Sequence, residues 1–161
     1  MVMDSKTVKQ RLKDKTSAPH VWLIMGKALG AIARQLDADL QRSGISNTDF
    51  RVMEALLHKG PLPVNVIGPK VNLTPGAISV AVDRLEVRGL VARAEDKRDR
   101  RVRVVALTKA GEKVISPAYD RHAVLLEHIF EPLSDTQRLS LENMLKLLGR
   151  HAETMGEFLA E

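Results

Sequence analysis

The sequence predicts a mainly α-helical fold with one small β-hairpin, and three observations support this prediction. Over most of the 161 residues, apolar side chains recur every three or four positions, which is the spacing of one helical face. Over residues 90–107 the apolar period changes to two, which is typical of strands. Apolar residues make up 44% of the chain, yet no apolar run is long enough to span a membrane, so a globular fold is expected.

Residues 1–18 are predicted to form a flexible basic arm that Pro19 closes. They are polar and rich in lysine and arginine, and their lack of an apolar stretch argues against a secretory signal. Residues 19–44 are predicted to be a dimerisation helix, with the helix itself running from Val21 to Arg42. Two apolar stripes lie side by side on it, which indicates a helix that contacts two bodies.

Two short helices are predicted next. The first begins at Ser46, with Asp49 three residues later, a pattern that resembles a capping box. It ends at Gly60, and Pro63 is predicted to be the first helical residue of the following helix, a position that suits proline.

A fourth helix is predicted to begin at Thr74, which is placed to cap it, and to end at Gly89. Its core face is formed by Ile78, Val82 and Leu85. Because only a few residues join it to the helix before it, the pair predicts a helix-turn-helix.

The strands are predicted at Leu90–Arg93 and Arg101–Leu107, with the polar residues 94–100 as the hairpin tip. A hairpin directly after the second helix of a helix-turn-helix is a wing. Residues 45–109 are therefore predicted to form a winged helix-turn-helix domain.

The carboxyl-terminal residues 110–161 are predicted to be dimerisation helices. Thr108 caps a helix that runs to about Phe130, and Ser134 begins a capping box for the last helix. The last helix carries a heptad seam made of Leu141, Leu145, Leu148, Ala152, Met155 and Leu159. Such a seam requires a partner helix, so a homodimer is expected.

The charge of the chain points to a polyanionic partner. The formal net charge is +5, and basic chains attract nucleic acid. Six cations fall within residues 93–103, and residues 84–103 hold no aromatic side chain on which unpaired bases could stack. Double-stranded DNA is therefore the expected partner. The six cations are Arg93, Lys97, Arg98, Arg100, Arg101 and Arg103.

Enzymatic chemistry finds no support in the sequence. The chain has no cysteine, and its five histidines do not fall in metal-binding spacings. Phosphate-binding glycine loops and hydrolase serine motifs are also lacking. No catalytic residue, metal or cofactor is predicted, and the protein is not expected to be an enzyme.

Five motifs occur in register along the chain, namely Leu73–Ser79, Asp83–Glu86, Arg88–Val91, Asp99–Arg101 and Leu107–Gly111. With these motifs the chain resembles the MarR family of bacterial winged-helix transcription factors, roughly over Val21–Leu148 and most specifically over Leu73–Gly111. The resemblance implies a homodimer that binds pseudo-palindromic duplex DNA, usually as a repressor, and that is released by a small, often aromatic or phenolic effector. Because the chain has no cysteine, a cytoplasmic location is expected.

The resemblance also assigns DNA-contacting residues. The residues nearest the major groove are Thr74, Pro75, Gly76 and Ser79. Arg84 matches a position near the phosphates. Arg101 matches the wing arginine, which Asp99 buttresses, while Arg98 and Arg100 remain alternative candidates at the tip for the minor groove.

A small-molecule pocket and two other functions remain open. The pocket residues would be His20, Trp22, Met25 and Met53, between the helical and winged parts, and core or dimer packing is the alternative interpretation. The alternative functions are an architectural protein that packages DNA without switching and a winged-helix module that binds an acidic protein.

Overall fold

The computed structural model describes residues 14–71, 73–95 and 103–158. These form two compact units, which meet in the sequence between His122 and Ala123. In chain order, the helices are α1 (Ala18–Arg42), α2 (Asn47–Lys59), α3 (Val64–Lys70), α4 (Pro75–Val87), α5 (Lys109–Phe130) and α6 (Asp135–Phe158). The strands are β1 (Leu62–Pro63), β2 (Val91–Glu95) and β3 (Arg103–Leu107).

The first unit is built on one hydrophobic core. Every helix from α1 to α5 and the two longer strands contribute buried side chains to it. Its fully buried large residues include Leu40, Phe50, Met53, Ile67, Ile78, Leu85, Val91, Val105 and Ile115. The predicted winged helix-turn-helix is thus present within the described residues, as a mostly helical fold with a small antiparallel sheet.

Helix α1 begins earlier than the sequence predicted. Ser17 is its N-cap, and the Ser17 hydroxyl accepts a hydrogen bond from the His20 amide at 3.3 Å. Pro19 lies in the first turn, where a backbone N–H would have no partner within the helix, so the lack of one in proline costs no hydrogen bond. Pro19 therefore helps to start the helix instead of closing the segment before it. Residues 1–13, the greater part of the predicted arm, lie outside the described residues.

The sheet has a third strand that the sequence did not predict. The strand order is β1-β3-β2, and both pairs are antiparallel. Pro63 was expected to be helical, but it pairs with Val104 and precedes α3. The two residues of β1 are too few for any alternation to be visible in the sequence.

The hairpin also departs from its predicted limits. Strand β2 continues to Glu95, two residues beyond the predicted end at Arg93, because Ala94 and Glu95 pair with Val104 and Arg103. Both residues are exposed, and small Ala94 beside charged Glu95 does not continue the pattern of large apolar residues that marks a strand in sequence. The structure describes the other predicted strand only from Arg103 onward.

The predicted helix ends are confirmed where capping chemistry marked them. Gly89 follows α4 with a φ of 69°, a left-handed conformation that glycine adopts without strain. At the start of α6, the Ser134 amide donates to the Gln137 side chain at 2.9 Å, and the Gln137 amide donates to the Ser134 hydroxyl at 3.4 Å. This reciprocal pair is the predicted capping box.

The start of α5 is bonded to the end of α4. The Thr108 hydroxyl donates to the Gly89 carbonyl at 2.7 Å and accepts from the Gly111 amide at 3.0 Å. A Cβ atom on Gly111 would lie 2.0 Å from the Leu90 carbonyl oxygen, so only glycine allows this approach. The junction therefore holds the base of the hairpin against the helical core.

The second unit is a helical hairpin with little apolar burial. The Arg138 guanidinium on α6 pairs with Glu127 on α5 at 2.6 Å and donates to the Leu133 carbonyl. No residue of α6 whose side chain is described is buried. Apolar side chains that are 44–69% exposed include Leu139, Met144, Leu145, Leu147, Leu148 and Met155.

Helix α1 presents a similar excess of apolar surface. Trp22 is 73% exposed and Leu29 is 69% exposed, whereas Leu40, near the end of the helix, is buried. Within the described ranges, no helix is both long enough and apolar enough to cross a membrane.

Candidate nucleic-acid interface

The first turn of α4 is a small, exposed surface. Thr74, Pro75, Gly76 and Ser79 are all exposed, and the structure brings these four predicted contact residues together. Thr74 caps the helix, because its hydroxyl accepts a hydrogen bond from the Ala77 amide at 3.3 Å. The Ser79 hydroxyl donates to the Pro75 carbonyl at 3.1 Å, which leaves its oxygen lone pairs available as acceptors.

The turn before α4 is held tightly against α3. The Leu73 amide donates to the Gly68 carbonyl at 3.0 Å, and a Cβ atom on Gly68 would lie 3.2 Å from the Leu73 carbonyl oxygen. Ile78, one turn into α4, is buried in the core. These contacts fix the direction in which the first turn of α4 points.

The outward face of α4 includes two valines that the sequence interpretation did not select. The buried residues of this 13-residue helix are Ile78, Ala81, Val82 and Leu85. At 100° per residue, the opposite face runs through Gly76, Val80, Asp83 and Val87. Val80 is 61% exposed and Val87 is 89% exposed. In the sequence, the two valines could have been identified by their position on the helix face opposite the apolar core residues.

Arg84 is held by a buried carboxylate on α2. Its Nη2 lies 2.5 Å from Asp49 Oδ1, and its Nε lies 3.0 Å from Oδ2. Asp49 is 1% exposed, and Arg88 approaches its other side at 3.5 Å. The hydrogen bond with Asp49 raises the pKa of Arg84 above its usual value, against an opposing effect of partial burial.

The Arg84 side chain is nevertheless 43% exposed. Its Nη1 has no hydrogen-bond partner among the residues that the structure describes. One edge of the guanidinium is therefore fixed by Asp49 while the other edge faces outward, which is an arrangement suited to a phosphate. From the sequence, Asp49 was identified only as part of a helix cap. Its ion pair with Arg84 was missed because the two residues are 35 positions apart.

Arg93 connects the wing to α4. Its guanidinium pairs with Asp83 and Glu86, and its backbone amide donates to the Glu86 carboxylate at 3.1 Å. The hydrogen bond with Asp83 is the largest of the effects that raise the pKa of Arg93. Arg93 was counted among the wing cations, but the structure uses its charge to fix the hairpin to α4.

An open cleft of about 790 Å³ lies between α3, the first turn of α4 and the start of β3. It is lined by Val64, Asn65, Gly68, Pro69, Leu73, Thr74, Pro75, Ile78, Ser79 and Arg103. Arg103, whose side chain is 62% exposed, pairs with Glu95 across the hairpin at 3.6 Å. Arg103 therefore shares a surface with the first turn of α4, although the sequence interpretation did not select it as a contact residue.

The remaining wing candidates, Arg98, Asp99, Arg100 and Arg101, lie outside the described residues. The four pocket candidates are described and lie on two helices. His20, Trp22 and Met25 lie in the first two turns of α1, whereas Met53 lies on α2. Met53 is part of the hydrophobic core and is 0% exposed. In the described ranges, no cluster of three or more His, Asp or Glu side chains is placed to hold a metal ion.

Comparison with known proteins identifies relatives of the chain. The family model described as MarR family matches residues 45–102. The HTH-type transcriptional regulator MhqR of Bacillus subtilis is 29% identical over 133 residues, which are 83% of this chain and 92% of MhqR. YcgE, an HTH-type transcriptional regulator of the same organism, is 32% identical over 122 residues, which are 76% of this chain and 77% of YcgE.

Solved structures share the fold. Sco3205 from Streptomyces coelicolor, a MarR family regulator in complex with DNA, matches with a TM-score of 0.75 at 24% identity, over 81% of this chain and 84% of that chain. BpsR of Bordetella bronchiseptica, whose DNA binding is regulated by 6-hydroxynicotinic acid, matches with a TM-score of 0.72 at 18% identity, over 84% of this chain and 94% of that chain.

Sequence motifs, fold and relatives agree. The family model covers the helix-turn-helix and strand β2 and ends at residue 102, before β3. The 133 residues matched with MhqR extend the similarity into the flanking helices. The chain belongs to the MarR family of winged helix-turn-helix, DNA-binding transcriptional regulators.

Proposed function

We propose that the protein is a homodimeric repressor that binds a pseudo-palindromic operator in duplex DNA and is released by a small aromatic ligand. The observation that carries the proposal is the exposed first turn of α4. It has no large side chain, and it is fixed by the core and by the α3–α4 turn. Such a turn can approach base edges in the major groove closely.

The proposed DNA contacts fall into three classes. The major-groove contacts are Thr74, Pro75, Gly76 and Ser79. Arg84 contacts phosphate through its free Nη1, and Arg103 adds positive charge beside the turn. In the wing, Arg98, Arg100 and Arg101 are the candidates for the minor groove, with Asp99 as the buttress of Arg101. The complex of the structurally similar Sco3205 with DNA supports DNA as the partner of this fold.

The apolar surfaces of α1 and α6 support the dimer. On α1 the exposed large apolar side chains lie in the first half of the helix, from Val21 to Leu29, and on α6 they extend from Leu139 to Met155. Exposed apolar side chains grouped in this way favour burial against a partner. A second copy of the chain supplies the equivalent helices, and the heptad spacing on α6 suits helix–helix packing.

Release by a ligand is the third part of the proposal. The regulation of BpsR by 6-hydroxynicotinic acid supports an aromatic effector. On α1, Trp22 is 73% exposed and His20 and Met25 are partly buried, so these three residues are the proposed aromatic and polarisable surface for the ligand. Met53 is 0% exposed in the core, so the proposed pocket is limited to the α1 residues. Because the target is duplex DNA in a bacterial cell, we place the protein in the cytoplasm.

The test is selection of bound sequences from random duplex DNA, followed by a change of half-site spacing. We expect a pseudo-palindrome that binds at least about 10³-fold more tightly than random duplex. Inserting five base pairs between its half-sites rotates one by about half a turn and is expected to abolish specific binding. Salt-sensitive binding without sequence preference would indicate an architectural protein, and lack of DNA binding would indicate a protein-interaction module.

A further inference from the structure

We propose that Val80 is a specificity-determining residue that recognises thymine, through contact between its methyl groups and the 5-methyl group of one thymine in each half-site. The inference rests on the proposed function, because it requires that α4 enters the major groove. It specifies one base pair of the operator, namely a T·A pair in each half-site whose thymine faces Val80.

The position of Val80 on α4 is the first step. Val80 lies one turn beyond Gly76, on the face opposite the buried stripe of Ile78, Ala81, Val82 and Leu85. Gly76 has no side chain, and a Cβ atom added to it would meet nothing within 4 Å. The valine is therefore the first bulky group on the outward face of α4, and nothing in the described chain shields it.

The chemistry of the neighbouring side chains is the second step. The Ser79 hydroxyl donates to the Pro75 carbonyl, so the lone pairs of its oxygen accept hydrogen bonds from bases. Asp83, the next outward residue, is paired with Arg93. On the face opposite the core, Val80 is thus the side chain near the helix start that offers only apolar contact, since exposed Pro75 lies about 140° around the helix from it. The thymine methyl is the apolar group that the major groove presents.

The distance of Val80 from the start of α4 is the third step. Val87 is an equally apolar side chain on the same face and is 89% exposed. It lies seven residues further on, which is about 10 Å along the axis, and it is the last residue of α4 before the turn that leads to the hairpin. Because a recognition helix contacts bases with its amino-terminal residues, Val80 is in reach of a base and Val87 is not. Val87 therefore provides a matched control.

The experiment uses the selected pseudo-palindrome and the full-length protein. Each thymine is replaced in turn by uracil, symmetrically in both half-sites, which removes the 5-methyl group and keeps every hydrogen-bonding group. Affinity is measured for the wild type, Val80→Ala and Val87→Ala. Loss of one buried methyl contact corresponds to about a fourfold weakening per half-site, and therefore to about 15-fold per dimer.

We expect one thymine position where uracil weakens the wild type and Val87→Ala by about 15-fold and leaves Val80→Ala unchanged. Because Val80 is exposed, Val80→Ala is expected to fold normally, and circular dichroism checks this. If the pseudo-palindrome is bound but every uracil effect is the same in wild type and Val80→Ala, the assignment of Val80 is wrong and the proposed function stands. If no sequence is preferred at all, the proposed function itself fails.

Discussion

The Asp49 carboxylate fixes the orientation in which Arg84 would meet DNA in the proposed complex. It holds Nε and Nη2 of the guanidinium, so the side chain loses its conformational entropy before DNA binds. Two substitutions are therefore expected to differ. Removing Arg84 deletes the proposed phosphate contact, whereas removing the charge of Asp49 keeps the cation and frees its orientation.

The first prediction uses the salt dependence of DNA affinity to separate these effects. Arg84→Gln is expected to reduce the magnitude of the slope of log affinity against log salt by about 2 per dimer, since two phosphate contacts are lost. Asp49→Asn is expected to weaken binding several-fold with an unchanged slope. Arg88→Gln is the control, because Arg88 also contacts Asp49, but at the longer distance of 3.5 Å. It shows how far loss of any cation beside Asp49 changes DNA affinity. Equal slopes for wild type and Arg84→Gln would exclude a phosphate role for Arg84.

At the level of single residues, the sequence predicted helix-capping residues correctly but did not predict which residues form ion pairs. Ser46 and Thr74 cap their helices as expected, because a cap is decided by residues within one turn. The ion pairs of Arg84 and Arg93 depend on which helix faces reach each other. The residues joined are up to 35 positions apart in sequence, so no local pattern indicates them.

At the level of elements, the junction between α4, the hairpin and α5 depends on one glycine. Gly111 lies against the backbone of Leu90, while Thr108 bonds to the Gly89 carbonyl beside it. A side chain at position 111 would have to move backbone atoms rather than a flexible side chain. The wing base and the start of α5 would then separate.

The second prediction is that Gly111→Ala destabilises the protein by about 1–3 kcal/mol or more, because its Cβ atom overlaps a carbonyl group. Gly149→Ala is the matched control, since a Cβ atom there would meet nothing within 4 Å on a helix. Alanine at 149 is expected to raise stability by up to about 1 kcal/mol. Denaturant unfolding at one fixed protein concentration measures both, and equal stability of Gly111→Ala and wild type would contradict the packing argument.

The elements that the sequence missed are the ones whose stability comes from distant pairing. Strand β1 exists because Leu62 and Pro63 lie beside Val105 and Val104, more than 40 residues later. The end of β2, at Ala94 and Glu95, is exposed and has no large apolar side chain, so the pairing with β3 makes it a strand. Long helices with capping residues and apolar stripes were predictable because their determinants are local.

At the level of the whole molecule, the described chain leaves large apolar side chains exposed on α1 and α6. Leu148 and Leu145 on α6 are 50% and 44% exposed, and Trp22 on α1 is 73% exposed. The dimer proposed above covers these surfaces. Folding and association are then coupled, and stability depends on protein concentration.

The third prediction tests this coupling with a charge placed on or off the heptad seam. Leu145→Asp is expected to abolish the dimer and to yield unfolded or aggregated protein, because it buries a carboxylate in the proposed interface. Asn143→Asp adds the same charge on the opposite face of α6 and is expected to leave the dimer intact. Sedimentation at low micromolar concentration measures both, and a well-folded wild-type monomer there would overturn the dimer.

The two faces of α4 also bear on how regulators of this kind diversify. The residues that anchor the helix are Ile78, Ala81, Val82 and Leu85, and those that face outward near its start are Gly76, Ser79 and Val80. Because the two sets do not overlap, a duplicated gene can acquire a new operator through changes in a few codons without passing through an unfolded intermediate. The same separation makes positions 76, 79 and 80 the natural sites for a randomised library aimed at retargeting the protein to other promoters.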